Sequence, residues 1–377
     1  MAGPALRILH TESSLGWGGQ EIRVLTEARG VAARGHAVTL AAPAQSRIYQ
    51  EAPAFGVEAV ALPIARKSLA GLRAMRALLR ERRYDVVNTH SSTDSWLTAV
   101  AARLAPGAPP IVRTRHISAP VPRNAATRWL YANATQRIVT TGERLRRQVI
   151  EETGVDGDRV VSIPTGIDLE RFKPGDAAAA RKALGMSTEG AIVGIVATLR
   201  SWKGHRYLLE AFAGLADRGA RLVVVGDGPQ RESLEALAKS LAVDDRVRFA
   251  GNQADVAPWM RAFDLFCLPS YANEGVPQAL MQAMACGLCV VTTPVGSIAE
   301  IVADGETGVL VPPEDAGALR ETIASLLADA ARRARIGAAA GRAARDTFGD
   351  ASMVERMLEV FSAVARPAGN ESGRGGS

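Results

Sequence analysis

The chain has 377 residues, of which 47% are hydrophobic and 22% charged, and its net charge is +6 at pH 7. This composition describes a globular chain with enough apolar material for two domains of ordinary size. The sequence has no run of about eighteen apolar residues, which argues against a spanning helix, and no signal-peptide layout, so we expect a cytoplasmic protein. Its positive charge suits phosphate-bearing partners or a membrane surface, and we expect no nucleic-acid partner.

Short strands rich in branched residues alternate with helical segments in the first half of the chain. The strand patterns lie at 6–10, 37–41, 85–89, 111–114, 137–140 and 160–163, and the first helix lies at 20–34. This alternation predicts a parallel, doubly wound sheet. A connection that contains Pro and Gly follows at 164–176 and marks the passage to a second domain.

The second half repeats this scheme. Strand patterns lie at 191–197, 221–225, 247–250 and 265–268, and helical patterns at 204–215, 230–241, 255–262 and, in an Ala/Arg-rich stretch after Glu314, to 365. We therefore predict an α/β fold of two Rossmann-like doubly wound domains that face each other across a cleft. The predicted domains are 1–168 and 169–345.

One strand–turn–helix segment of the second half has the features of an anion site. The strand at 265–268 leads into a polar turn, after which Glu274 opens a predicted helix with Leu280 and Met284 at helical spacing; Gly287 ends it. The first-turn N–H groups and the helix dipole favour an anion beyond the strand. Glu274 either satisfies that dipole or accepts hydrogen bonds from the hydroxyls of a sugar carried beside a phosphate.

Here the sequence resembles the retaining GT4-type glycosyltransferases of the GT-B fold (glycosyl transferases group 1). Their signature is a Glu, seven residues, a second Glu and then Ala-Met-Ala-x-Gly; Glu274 and the run from Ala283 to Gly287 match it, and Gln282 replaces the second Glu. The resemblance implies that Glu274 binds sugar hydroxyls and Gln282 the ribose. Gln accepts through its amide oxygen but lacks the charge and adds two donors. The donor-binding backbone is implied to be that of Gly275, Val276, Gln278 and Ala279.

Two cations, Arg200 and Lys203, lie in the loop after the first strand of the second domain. They can neutralise the two phosphates of a nucleotide-sugar and the charge that develops on the leaving diphosphate, or they can form a solvated basic loop. The family has an Arg and a Lys-Gly on this loop, and Lys203-Gly204 matches it. The family's Arg stands further ahead, where this chain has Thr198, so Arg200 is a substitute.

The pair Gly18-Gly19 lies in the loop after the first strand. It is either a tight turn or a place where backbone N–H groups approach a pyrophosphate closely. The family has Gly-Gly-x-Glu here, which the run from Gly18 to Glu21 matches, and this implies a phosphate or acceptor contact.

His90 and His116 end strands of the predicted N-terminal sheet, where they can reach a ligand or form ordinary loop hydrogen bonds. The family carries a histidine that contacts the donor sugar and positions its reacting face, and His116 matches it best. His90 and Asp94 form a second polar cluster that can orient the acceptor hydroxyl or take its proton. His10 has no evident partner, and His205 is expected at the surface.

The resemblance covers nearly the whole chain. It implies transfer of a sugar from a nucleotide-diphospho-sugar to a hydroxyl, with retention at the anomeric carbon and without a metal or cofactor. The implied catalytic residues are His116, Arg200, Lys203 and Glu274. It also implies that a helix at 346–366 braces the N-terminal domain, while the tail at 367–377 lacks apolar residues and is expected to be disordered.

The expected acceptor is a glycan or a lipid-linked glycan, in the assembly of a bacterial cell-surface glycan or lipopolysaccharide. The basic segments 66–83 and 123–137 carry apolar residues at helical spacing, such as Leu69 and Leu78. Either these segments make peripheral contact with the inner membrane face, or their apolar residues pack on the sheet.

Two other functions fit a fold of this kind. One is a non-catalytic nucleotide-sugar sensor, in which Gln282 marks lost catalysis; the intact Glu274, Lys203 and His116 argue against it. The other is an epimerase or phosphorylase, and the sequence shows no sign of a phosphorylase's cofactor-bearing Lys. Cysteine chemistry is not predicted, because the C-x-x-C pair that ends in Cys289 follows a helix C-terminus, where a thiolate is not stabilised.

Overall fold

The computed structural model describes residues 4–217, 219–272 and 274–365. They form two compact units, each built around its own sheet. The first unit comprises the described residues of Met1–His116, Pro120–Gly166 and Asp350–Ser377, and the second comprises Ile117–Ala119 and Ile167–Gly349. The predicted tail at 367–377 lies outside the described residues.

The first unit contains a seven-stranded sheet in which every paired strand is parallel. Its strands are β1 (Arg7–Thr11), β2 (Ala37–Ala42), β3 (Glu58–Ala61), β4 (Val86–Thr89), β5 (Ile111–Arg115), β6 (Arg137–Thr140) and β7 (Val160–Ser162), in the order β3-β2-β1-β4-β5-β6-β7. Consecutive residues of a strand pack into different hydrophobic clusters. Ile8 of β1 and Val86 of β4 belong to one cluster, and the residues that follow them, Leu9 and Val87, belong to another. The sheet is therefore buried on both faces, as the doubly wound prediction requires.

Among the described residues of the first unit, helices follow the strands β1 to β6. They are α1 (Gly19–Ala32), α2 (Arg47–Glu51), α3 (Leu69–Glu81), α4 (Ser92–Arg103), α5 (Ala125–Ala132) and α6 (Glu143–Thr153). The short strand β3 and the helix α2 were not predicted. On the basic helix α3, Leu78 and Leu79 pack into the core, whereas Leu69 is 69% exposed. The helix therefore packs on the sheet, as one alternative predicted, and leaves one apolar side chain outside.

The second unit contains a six-stranded parallel sheet. Its strands are β8 (Ile192–Val196), β9 (Arg221–Val225), β10 (Val247–Gly251), β11 (Leu265–Leu268), β12 (Val290–Thr292) and β13 (Val309–Leu310), in the order β10-β9-β8-β11-β12-β13. Its helices are α7 (Ala177–Ala183), α8 (His205–Ala213), α9 (Arg231–Ser240), α10 (Ala257–Ala262), α11 (Gln278–Ala285), α12 (Ala316–Ala328) and α13 (Ala330–Thr347). The α/β fold of two doubly wound units is thus confirmed.

The Ala/Arg-rich stretch after Glu314 is not one helix. It forms α12, α13 and a last helix, α14 (Asp350–Val364). The first break occurs at Asp329, whose φ and ψ of −119° and 86° are not helical and whose carboxylate caps α13 by accepting from the Arg332 N–H. The helix α14 belongs to the first unit, where Val354 and Phe361 pack with residues of α1 such as Val24.

The strand order of each sheet reverses direction at one place. In the first unit the chain turns between β1 and β4, and in the second unit between β8 and β11. In open α/β sheets, ligands bind outside the carboxyl ends of the strands at such a switch point. We therefore expect ligands to bind at the loops after β1, β4, β8 and β11.

Candidate active site

A buried carboxyl group fixes the loop between β1 and α1. Glu12 lies directly after β1 and accepts hydrogen bonds from the Ser14 N–H (2.7 Å), the Gln20 amide (2.5 Å) and the Ser91 hydroxyl. Burial and the nearby charge of Asp94 raise the pKa of Glu12 to about 8. The sequence interpretation missed Glu12; its place at the carboxyl end of the first strand was the available signal.

Asp94, in the first turn of α4, is fully buried. Its two oxygens accept from the N–H groups of His90 (3.0 Å) and Ser91 (2.9 Å) and from the hydroxyls of Thr11 (2.8 Å) and Ser13 (3.1 Å). Burial raises its pKa to about 6, against the lowering effect of these hydrogen bonds. Asp94 therefore holds the loops after β1 and β4 together.

Three histidines meet at the carboxyl ends of the neighbouring strands β1, β4 and β5. His10 Nδ1 lies 3.0 Å from His90 Nε2, and His90 Nδ1 lies 3.0 Å from His116 Nε2. Burial lowers the pKa of His10 to about 3 and holds those of His90 and His116 well below their ordinary value. The prediction that His10 has no partner is wrong: strand pairing places His10 beside β4, and its ring reaches His90.

Gly18 and Gly19 begin α1. Gly18 is the N-cap, with a φ of −174° that is extended backbone open to any residue, and Gly19 is exposed. The N-cap glycine offers no capping side chain to this helix, whose first N–H groups have no intrahelical partners. A phosphate or acceptor contact here stays a prediction.

In the second unit, one ion pair occupies the switch point. Lys203 Nζ, from the loop after β8, lies 2.5 Å from Glu274 Oε1, in the loop after β11, and the Ser270 hydroxyl donates to the same oxygen at 2.6 Å. The Lys203 and Glu274 side chains are only 19% and 5% exposed. The backbone joins the loops as well, because the Tyr271 N–H donates to the Trp202 carbonyl at 2.9 Å.

Glu274 does not open the helix that follows it. The helix α11 begins at Gln278, and Pro277 is its N-cap in an extended conformation. A proline disfavours the helical conformation in the residue before it, here Val276, so the chain from Glu274 to Pro277 remains a loop. Glu274 therefore does not satisfy the helix dipole from the first turn, and its observed partners are Lys203 and Ser270.

The remaining predicted donor-side residues surround this loop. Gly275 and Val276 are buried, and Gln278 and Ala279 are half-buried at the start of α11. Gln282, one turn further along, is 8% exposed. These residues lie together around one strand–loop–helix unit.

Arg200 is exposed, and its guanidinium carbon lies 5.7 Å from the centre of the Trp202 ring. This contact orients the cation at the start of the short turn that carries Lys203. Arg200 and Lys203 thus lie on the same loop, but only Lys203 is paired with Glu274.

His205 is buried rather than exposed, which corrects the sequence expectation. It is 3% exposed, and burial and the charge of Lys203 lower its pKa to about 3. His205, Leu208, Leu209 and Phe212 lie at helical spacing on the buried face of α8. That periodicity was the signal, and it outweighs the polarity of the imidazole.

The three cysteines Cys267, Cys286 and Cys289 are reduced and buried. Burial raises the pKa of Cys286 to about 12 and that of Cys289 to about 11, and raises that of Cys267 further. Reactive thiols have a lowered pKa, so this shift is opposite to the one a redox role needs.

Within the described residues, 4–217, 219–272 and 274–365, no cluster of three or more His, Cys, Asp or Glu could hold a metal ion. None of the helices in these same stretches is long and apolar enough to cross a bilayer.

Solved structures share this architecture. A structure of Anabaena Alr3699/HepE in complex with UDP-glucose aligns with a TM-score of 0.85 at 23% identity, covering 95% of this chain and 100% of that one. WaaG, a glycosyltransferase involved in lipopolysaccharide biosynthesis, aligns with a TM-score of 0.74 at 20% identity, covering 94% of this chain and 99% of that one. The two parallel sheets with their flanking helices are those of the GT-B glycosyltransferases.

Sequence comparison identifies the family. The model of Glycosyltransferase Family 4 matches residues 17–171, and that of Glycosyl transferases group 1 matches residues 176–343. The D-inositol 3-phosphate glycosyltransferase of Nocardia farcinica is 33% identical over 309 residues, 74% of this chain and 67% of that protein. Its namesake from Mycolicibacterium smegmatis is 32% identical and aligns with 99% of this chain and 90% of its own length. The chain belongs to the glycosyl transferases group 1 family.

Proposed function

We propose that this glycosyltransferase moves a sugar from a nucleotide-diphospho-sugar to a hydroxyl acceptor, with retention of configuration. The observation that carries the proposal is the Lys203–Glu274 pair at the switch point of the second sheet. A cation for a diphosphate and a carboxylate for sugar hydroxyls lie side by side there, next to a helix N-terminus. The complex of the similarly folded Anabaena protein with UDP-glucose supports a donor of this class.

On this proposal, donor binding rearranges an existing ion pair. Lys203 and Arg200 take the diphosphate, Glu274 accepts from sugar hydroxyls, and Gln282 accepts from the ribose. Ser270 continues to donate to Glu274 Oε1 and holds the carboxylate in place. Glu274 Oε2 remains for the sugar, since the contacts with Lys203 and Ser270 both fall on Oε1.

The chemical step needs charge stabilisation more than proton transfer. The bond between the anomeric carbon and the diphosphate oxygen breaks through an oxocarbenium-like state, and the leaving phosphate takes the proton of the acceptor hydroxyl as that oxygen attacks the same face. The protein positions the groups and stabilises the leaving charge through Lys203 and Arg200. We propose that His116 contacts the sugar and that the first unit receives the acceptor beside Gly18 and Gly19. His90 does not orient the acceptor on this proposal, because His10 and His116 engage both of its ring nitrogens.

The donor can be identified by thermal unfolding of the full chain with UDP-, GDP- and ADP-glucose. A donor at a hundred times its Kd is expected to stabilise the protein by about 2.7 kcal/mol. Glu274→Gln should reduce this gain, while Glu306→Gln, an exposed carboxylate outside the site, should leave it unchanged. No stabilisation by any donor, or equal stabilisation of both variants, would contradict the donor site.

The same ligands separate an enzyme from a sensor. With the stabilising donor, the enzyme is expected to release nucleoside diphosphate and to form an α-linked product from an α-linked donor, in EDTA as well as without it. The anomeric coupling in the product NMR spectrum measures this. Binding without any transfer or hydrolysis would favour the non-catalytic sensor instead.

The proposal for the acceptor rests on the names of similar proteins and on one apolar groove of the first unit. The curated relatives are named for inositol phosphate and WaaG for lipopolysaccharide biosynthesis, so we propose a hydroxyl acceptor of a bacterial glycan or glycolipid. Beside α3, the exposed Leu69 lies with Leu72 and Trp96 in an apolar groove, and Lys67 lies 5.2 Å from the Trp96 ring. Apolar side chains beside a cation suit an anionic membrane face.

Sedimentation with lipid vesicles tests this contact. We expect binding to vesicles that contain anionic lipid and weaker binding to neutral ones. In Leu69→Ser the affinity should be about tenfold lower, because a leucine side chain that enters the membrane is lost. Leu104→Ser serves as the control, since Leu104 is 50% exposed but does not line the groove. Equal effects of the two substitutions would rule out this face.

A further inference from the structure

The chain of three histidines constrains where its protons can lie. The His10 and His90 rings are nearly parallel, with 11° between their planes, and the His90 and His116 rings make 32°. Both pairs of ring centres are 5.3 Å apart and both pairs of facing nitrogens 3.0 Å apart, so the rings meet nitrogen to nitrogen rather than face to face. Each contact is a hydrogen bond and needs one N–H donor.

The surroundings keep all three rings neutral. The rings are buried, and the guanidinium of Arg23, itself fully buried, opposes a positive charge on His90 and His116; Arg115 adds to this at His116. A neutral imidazole has one N–H and one acceptor nitrogen. With two contacts to satisfy, the proton arrangement of one ring therefore dictates that of the others.

Only two arrangements satisfy both contacts. In the first, His10 Nδ1–H donates to His90 and His90 Nδ1–H donates to His116, so the proton of His116 lies on Nδ1. In the second, every proton is on Nε2, and His116 Nδ1 becomes an acceptor. The proton arrangement of the three histidines thus determines whether His116 Nδ1 is a hydrogen-bond donor or an acceptor. Nδ1 is the nitrogen of His116 that does not contact His90.

The environment of His10, at the buried end of the three histidines, favours one of the two arrangements. Among the described residues, His10 Nε2 has no hydrogen-bond partner, and the His10 ring lies 6.0 Å from that of Phe361. The second arrangement would place an N–H group there without an acceptor, whereas the first leaves only an unused lone pair. Buried N–H groups without a partner are the rarer defect in proteins, which favours the first arrangement.

We propose that His10 and His90 are positioning residues that hold His116 as the Nδ1–H tautomer, so that His116 donates a hydrogen bond to a substrate oxygen. The part that concerns substrate rests on the proposed function; the tautomer does not. The oxygen belongs to a hydroxyl or ring oxygen of the sugar, and a ligand group that can only donate is excluded from this position. No proton is transferred to the substrate.

Nitrogen-15 NMR of the full chain, labelled at its five histidines, reads the tautomers directly. We expect pyrrole-type Nδ1 and pyridine-type Nε2 in His10, His90 and His116. In His90→Phe the contact to His116 is gone, and its ring should shift toward the Nε2–H form that a free imidazole favours. His36→Gln, outside the histidine chain, should leave the His116 signals unchanged.

Kinetics separate the tautomer from the substrate contact. His90→Phe should lower kcat/KM about tenfold, the scale for one hydrogen bond, and His90→Gln, which keeps a donor and an acceptor, should recover part of it. The inference is overturned if Nδ1 of wild-type His116 is pyridine-type, or if the His116 tautomer does not change in His90→Phe. If His90→Phe does not fold, His10→Phe gives the same test. The expected tautomer with unchanged kinetics in His116→Ala would instead overturn the role proposed for His116.

Discussion

Replacing Lys203 by Ala is expected to lower kcat at saturating nucleotide-sugar by about a hundredfold or more, the scale for losing one group that stabilises developing charge. Lys203 is the cation held at the switch point of the second sheet, 2.5 Å from Glu274. Initial rates of nucleoside diphosphate release measure the effect. Arg206→Ala is the matched control, because Arg206 is an exposed cation three residues away that pairs with Glu210.

This substitution has a second consequence that must be separated from the first. Without Lys203, the carboxylate of Glu274, which is 5% exposed, keeps the Ser270 hydroxyl as its one side-chain partner among the described residues. An uncompensated buried charge destabilises a protein, so Tm should fall as well. In Lys203→Ala/Glu274→Gln we expect stability to return while turnover stays low; a return of both, or turnover near wild type in Lys203→Ala, would contradict a role in the chemical step.

The placement of Lys203 and Glu274 in loops after strands of the second sheet was predictable because its signals are local. A strand, a loop and a helix follow one another within a few residues at both Lys203 and Glu274, so sequence order alone brings each motif to a sheet edge. The contact between Lys203 and Glu274 was not predictable from sequence order, because the two residues are 71 positions apart. That contact depends on β11 pairing with β8.

The histidine chain of the first unit was less accessible for the same reason. His10 and His90 are 80 residues apart, and His90 and His116 are 26 apart. Their contact requires β4 to lie between β1 and β5, and no local pattern encodes that strand order. The partner of His10 was therefore missed even though each strand was recognised.

Local errors had local causes. The helix was predicted to begin at Glu274, but Pro277 disfavours the helical conformation in the residue before it, so the helix begins at Gln278. His205 was assigned to the surface by its polarity, although its spacing from Leu208 and Phe212 placed it on the buried face of α8. In both cases a steric or periodic rule should have outweighed residue chemistry.

Replacing Gly204 by Ala is expected to destabilise the protein by about 3–5 kcal/mol, because two costs coincide. Gly204 has a φ of +75°, which residues with a side chain rarely adopt, and an added Cβ would clash with the carbonyl oxygen of Pro269. That oxygen belongs to the backbone after β11, so it cannot rotate away. Urea unfolding of the variant and the wild type measures the loss.

Gly35→Ala isolates the cost of the backbone conformation. Gly35 has a φ of +88°, and an added Cβ there meets nothing within 4 Å, so we expect a loss of only about 1–2 kcal/mol. The difference between the two variants measures how tightly the loops after β8 and β11 approach each other. Equal losses would show that the loops can separate without cost, and the close placement of Lys203 and Glu274 would then not depend on glycine. Because the added Cβ fits only if the two loops move apart, Gly204→Ala should also displace Lys203, and its turnover should fall even at temperatures where the variant remains folded.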